Sequence, residues 1–189
     1  GFSYKMSGQA GLFIDCSTDN GEQIVTDNTW KARLHPAHYN TSTPQANWRL
    51  PESNIGFDAR RDIIGWENVE QTAWHNAIDK GTEGAAPWNK LHHRMIPLWK
   101  DFGLHNYVKT TLHRGNTHDT LVCQLPYDAQ VMPWMEVESR LGGDTIQMLT
   151  DTYIINGEYS VRGEYVTRKG NQQYESMGWI SGNTVYYIV

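Results

Sequence analysis

The strongest constraint on this chain is the alternation of apolar and polar residues in its second half. A period of two puts successive side chains on opposite faces of an extended strand, so each segment buries one face and wets the other. Asp119-Thr120-Leu121-Val122-Cys123-Gln124-Leu125 opens the series. Met135-Glu136-Val137-Glu138 and Thr145-Ile146-Gln147-Met148-Leu149 follow, with Gly142-Gly143-Asp144 between them. Then come Tyr159 to Val166, a turn at Gly170, Gln173 to Ser176, and Val185 to Val189. Short strands separated by Gly-containing turns predict a meander of the kind found in β-sandwiches.

The first 35 residues carry a weaker form of the same signal. Gly11 to Cys16 and Thr29 to Leu34 read as two strands, and Thr18-Asp19-Asn20-Gly21 between them supplies residues that tolerate positive φ. A hairpin is expected there. From His35 to about Gly65 periodicity disappears while Pro36, Pro44 and Pro51 enter, which predicts a long irregular excursion of the sort that is usually functional. Val69, Ala73, Trp74 and Ala77 suggest a turn or two of helix over Asn68 to Asp79, stopped by Gly81. The expected fold is therefore all-β: an antiparallel, jelly-roll-like sandwich, as two packed sandwich units with long loops and little helix. The domains are drawn at 1–110 and 111–189.

Composition narrows the function classes. With 189 residues, 39% hydrophobic and 12% aromatic, the chain has material for a buried core. Its net charge of −5 and scattered Lys and Arg provide no clustered basic face for nucleic acid. No apolar run approaches the ~20 residues of a membrane span. Cys16 and Cys123 are too few for a disulfide framework and are expected to be two buried thiols. The final apolar strand stops without a turn or polar tail, and an unfinished strand would leave its edge bare. The expectation is that the chain is a piece of a longer protein.

Two ordered blocks carry a resemblance to the bacterial α-L-rhamnosidases, in the region before their catalytic (α/α) barrel. In the first, Gly11-Leu12-Phe13 to Asp27-Asn28-Thr29-Trp30-Lys31 resembles the end of the family's N-terminal β-sandwich. Phe57-Asp58-Ala59-Arg60-Arg61-Asp62, with Gly65-Trp66 and Trp74, is similar to its Asp-Ala-Arg segment. In the second, Leu125-Pro126-Tyr127-Asp128-Ala129-Gln130-Val131 with Pro133, then Thr150 to Tyr153, resembles the opening of the next sandwich. Val161 to Thr167 and Gln173 to Trp179 resemble the segment before the barrel. The resemblance implies a non-catalytic, carbohydrate-associated region that supports a C-terminal catalytic barrel and binds L-rhamnose-containing glycans. It implies a periplasmic or secreted bacterial protein, permits calcium, and assigns no catalytic residue to this chain. The alternative is an interdomain scaffold with no sugar site.

Read from the residues, the best sugar-contacting candidates are aromatic side chains in polar loops, because pyranose C–H faces stack on rings while neighbours bond the hydroxyls. Trp48, Trp66 and Trp88 have that setting, with Glu52, Asp58 and Arg60 as polar companions, although Asp58 and Arg60 equally suit a structural ion pair. Trp30, Trp134 and Trp179 lie in strand-like contexts and are expected in the core. Glu136 and Glu138 share a strand face at a spacing compatible with glycoside hydrolysis, but a solvated sheet face explains them more simply. The eight histidines lack the tight ligand spacing of zinc sites and read as solvated loop residues.

Overall fold

The computed structural model describes residues 11–41, 55–67, 74–98, 100–155, 158–159 and 161–189. In chain order its strands are β1 (Asp15–Ser17), β2 (Gln23–Val25), β3 (Lys31–Ala32), β4 (His38–Asn40), β5 (Ile55–Asp58), β6 (His75–Asn76) and β7 (Lys109–His113). They continue as β8 (Thr120–Val131), β9 (Trp134–Ser139), β10 (Thr145–Thr150), β11 (Ile154–Ile155), β12 (Glu158–Tyr159), β13 (Gly163–Val166), β14 (Gly170–Glu175) and β15 (Ile180–Ile188). Two short 3-10 turns, Ala59–Arg61 and Asp151–Tyr153, are the only helical elements among the described residues. The chain is all-β, as its alternation predicts.

Contacts divide the chain into two compact units that interleave in sequence: Gly1–Leu34 with Asn68–Asp101, and His35–Glu67 with Phe102–Val189. In the smaller unit β1 and β2 form the expected hairpin, closed by Gly21 N–H donating to Thr18 O at 2.9 Å. Its return strand is Gln23–Val25 rather than Thr29–Leu34, because the tight turn brings the chain back at once. Lys31 and Ala32 pair instead with Asn76 and His75, and Ala77 N–H extends the ladder to Trp30 O. Residues 68–73 of the expected helix lie outside the described residues, and His75–Asn76 is strand.

The larger unit holds a seven-stranded sheet in the order β4-β5-β13-β10-β15-β8-β7. Every pairing is antiparallel except β13 with β5, which is parallel. A second layer, β9 with β14, contributes Met135, Val137 and Tyr174 to the core formed with Ile146, Met148, Tyr165, Ile180 and Val185 of the sheet. Full burial of each large apolar side chain is worth ~1.5–3 kcal/mol, so this interlayer cluster is the main source of cohesion. The meander expectation fails here. β8 hands over to β9 in the other layer, and β13 likewise to β14, as crossing between sheets requires.

Three further expectations are corrected. The segment from His35 to Gly65 is not wholly irregular, since β4 and β5 form one end of the sheet. Terminal strand β15 is not a bare edge, because it pairs with β10 on one side and β8 on the other. Its bulge between Gly182 and Thr184 is held by Asp151, whose Oδ1 accepts from Asn183 N–H at 2.9 Å and Thr184 N–H at 3.2 Å. Finally, Cys123 is buried but Cys16 is exposed, and both are free thiols.

Candidate functional site

The larger unit carries a cleft of about 230 Å³ where β4, β5, β13 and β14 come together. β4 supplies His38, β5 supplies Phe57, and the chain just after the Ala59–Arg61 turn supplies Asp62. Tyr165, Arg168, Gln172, Gln173, Tyr174 and Glu175 come from β13, β14 and the turn joining them, with Met177 beyond.

The floor is aromatic because parallel pairing sets Phe57 directly beside Tyr165. Their rings lie 6.0 Å apart and within 4° of parallel. Tyr174 stands 4.3 Å from Tyr165 and 5.6 Å from Phe57, while His38 meets Phe57 edge-on at 5.0 Å. Such offset and edge-to-face contacts are the favoured ring geometries and fix the wall rigidly. Burial pushes the Tyr174 phenol up to about 12 and raises Tyr165 as well, so both stay neutral hydrogen-bonding groups. Burial, reinforced by neighbouring His35, lowers His38 below the usual imidazole range although Asp62 opposes the shift. A neutral imidazole can both donate and accept.

The polar rim is held from beneath. Gln172 is buried, its Oε1 accepting from Tyr165 O–H at 2.9 Å and Arg168 N–H at 2.8 Å. Its Nε2 donates to Arg168 O at 2.7 Å and Gly170 O at 2.8 Å. Every hydrogen-bonding direction of that amide is used to shape the turn that presents Arg168. Asp62 approaches His35 Nε2 at 3.3 Å.

Asp58 and Arg60 do come together, as a fork-to-fork pair with Arg60 Nε and Nη2 each donating at 2.8 Å. Arg60 N–H adds a third bond to Oδ1 at 3.1 Å, and these hydrogen bonds hold the Asp58 carboxyl below its ordinary range. Neither residue lines the cleft. Trp66 is 52% exposed in the larger unit, and Trp88 is half-buried in the smaller one, packed so that a β-carbon on Gly11 would stand 3.0 Å from its Cζ2. Trp48 and Glu52 lie outside the described residues. Trp30 and Trp134 are half-buried, whereas Trp179, expected in the core, is 46% exposed.

Glu136 and Glu138 stand on an exposed strand face, with Glu136 accepting from Gln173 Nε2 at 2.6 Å. His35 and His38 are half-buried in the aromatic cluster rather than solvated. Their position, His38 on β4 and His35 just before it, was hidden by the loop-like composition around them. Among the described residues no three His, Cys, Asp or Glu side chains gather closely enough to hold a metal ion. The Asp58 carboxylate is engaged by Arg60, and Asp151 Oδ1 by backbone N–H groups. A second, wider cleft in the smaller unit is lined by Asn28, Thr29, Lys31, Asn76, Ala77 and Asp79 and has no aromatic wall.

No protein-family model matches the chain, and no curated protein matches it in sequence. Among solved structures, an α-L-rhamnosidase from Dictyoglumus thermophilum superposes with a TM-score of 0.61 over 88% of this chain at 18% identity. The chain spans 18% of that protein's length. At this identity the likeness is one of fold, and the fold of this chain is thus related to part of an α-L-rhamnosidase.

Proposed function

We propose that this chain is a non-catalytic, carbohydrate-associated β-sandwich region of an α-L-rhamnosidase-like glycoside hydrolase, partnered with a catalytic barrel and engaging L-rhamnose-containing glycans. The observation that carries the proposal is the fold likeness over 88% of the chain. It agrees with the two sequence blocks that resemble the same family. Asp58, one of the loop-flanking acids, is kept ionised by Arg60 and so is itself unsuited to donating a proton. A periplasmic or secreted location in a bacterium belongs to the same proposal. No helix among the described residues is long and apolar enough to cross a membrane.

Isothermal titration with L-rhamnose and with a rhamnosylated oligosaccharide, each with and without calcium, tests the glycan claim. Heat of binding supports it. Absence of heat under all conditions leaves the interdomain scaffold, which the extensive sheet of the larger unit would equally serve. Release of the aglycone from an aryl rhamnoside by the chain would overturn the non-catalytic assignment.

A further inference from the structure

We infer that the glycan contact is made by the cleft over Phe57, with one neutral pyranose ring seated between His38, Asp62, Arg168 and Glu175. This inference rests on the glycan-binding reading and assigns the contact to residues other than the loop tryptophans.

Size decides first. Pockets for drug-sized ligands run roughly 300–1,000 Å³, and this one is about 230 Å³, room for a single sugar ring and not for an enclosed oligosaccharide. Chemistry decides next. On the floor, half-buried Phe57 keeps ring surface for C–H contact, backed by the buried Tyr165 and Tyr174, and the rim carries both donors and acceptors, the pairing that vicinal hydroxyls require. Arg168 spends one Nη2 hydrogen bond on Asn171 O at 3.2 Å and keeps further donors on its guanidinium. Among the described residues the exposed Glu175 carboxylate accepts no protein hydrogen bond.

Charge decides last. Two carboxylates, Glu175 and the His35-contacted Asp62, line the cleft with one guanidinium, Arg168, so its lining carries no excess of positive charge to draw in a phosphate or uronate, and a neutral polyol suits it better. The backbone beneath the donor is preformed. Gln172 fixes the Arg168 turn with three hydrogen bonds to Arg168 N–H, Arg168 O and Gly170 O, and a fourth ties it to the Tyr165 hydroxyl, so ordering on binding is confined to the rim side chains.

The test is NMR and calorimetric titration of the full chain with L-rhamnose and with a rhamnosylated oligosaccharide. Arg168→Ala and Glu175→Gln change rim side chains and are expected to weaken binding about tenfold or more each, the size expected for lost hydrogen bonds to charged groups. Glu138→Gln, on the exposed face of β9, is expected to leave it unchanged. His38 ring resonances are expected to shift on titration and to stay put in Arg168→Ala. Unchanged melting temperatures of both rim variants establish that the fold is intact. Wild-type binding that both rim variants retain, with His38 silent, overturns the cleft and leaves the glycan reading standing. Wild-type chain that binds neither sugar overturns both.

Discussion

Tyr39 reaches across Gly56: a β-carbon on Gly56 would stand 2.3 Å from Tyr39 Cζ. The two residues are register partners on β4 and β5, and Gly56 in turn faces Glu164 on β13. The missing side chain lets the Tyr39 hydroxyl pass over β5 and donate to Glu164 Oε2 at 3.2 Å, while Gln147 Nε2 donates to Oε1 at 2.9 Å. One transverse row thereby links four strands of the sheet. Gly56→Ala is expected to destabilise the chain by ~1–3 kcal/mol through overpacking. In a denaturant-melt cycle with Tyr39→Ala, the double variant should lose less than the sum of the singles, because the clash disappears with the ring.

The same hydroxyl gives the sheet an alkaline limit. Burial first, then the Glu164 charge, pushes the Tyr39 phenol up to about 12. A group whose folded pKa exceeds its unfolded value of about 10 stabilises fully below pH 10, and that contribution fades as pH rises through 12. Thermal melts from pH 9 to 12 should show a decline that is smaller in Tyr39→Phe.

Asp58 sets an acid limit of the opposite kind. Its folded pKa lies below the ordinary 3.8, chiefly through the Arg60 side-chain bonds, so its contribution is complete above pH 3.8 and is lost as acid protonates it below that value. Asp58→Asn should lower stability at pH 7 and flatten the fall in melting temperature below pH 4. An equal acid slope in variant and wild type would count against the pair.

The turn between β9 and β10 is locked to the turn between β13 and β14. Asp144 Oδ2 accepts from Ser139 O–H at 2.6 Å, Thr167 N–H donates to Asp144 O at 2.9 Å, and Gly143 N–H donates to Thr167 O at 2.8 Å. Gly142 adopts φ +78°, and a β-carbon there would lie 2.9 Å from Lys169 N. Gly142→Ala should cost at least ~1–2 kcal/mol from the left-handed backbone alone. Because the β13–β14 turn to which it is locked carries Arg168, sugar affinity should fall with it.

Thiol chemistry should separate the two cysteines. Cys16 is exposed, whereas Cys123 is buried on β8 with its thiol pushed up to about 11 by burial. A disulfide reagent at pH 8 is expected to label one equivalent in the native chain and the second only on unfolding. Rapid labelling of two would contradict the packing around β8.

What was legible in the sequence follows from what the residues encode locally. β8, β9, β10 and β14 show because their alternation is a face-by-face record of burial. β5 does not, since its buried positions are Gly56 and Asp58, one covered by Tyr39 and the other neutralised by Arg60. Hydrophobic patterning registers neither. Pairing β5 with β13 joins residues about a hundred positions apart, which no local period reports. The cleft was missed for the same reason: Phe57 lies far in sequence from Tyr165 and Tyr174, none of the three carried a site reading there, and the parallel pairing is what sets Phe57 beside Tyr165.

The position of β15 governs how the larger unit assembles. It is the bridge between two groups of strands, β4-β5-β13-β10 and β8-β7, yet it comes after all of them in sequence. As a ribosome extends the chain, each group must wait with an open edge on β10 or β8 until residues 180–188 emerge and zip the two together. Folding is therefore completed late, through distant contacts that form slowly. A nascent product stalled before Ile180 would expose two unpaired sheet margins, the state most prone to sticking to its own copies.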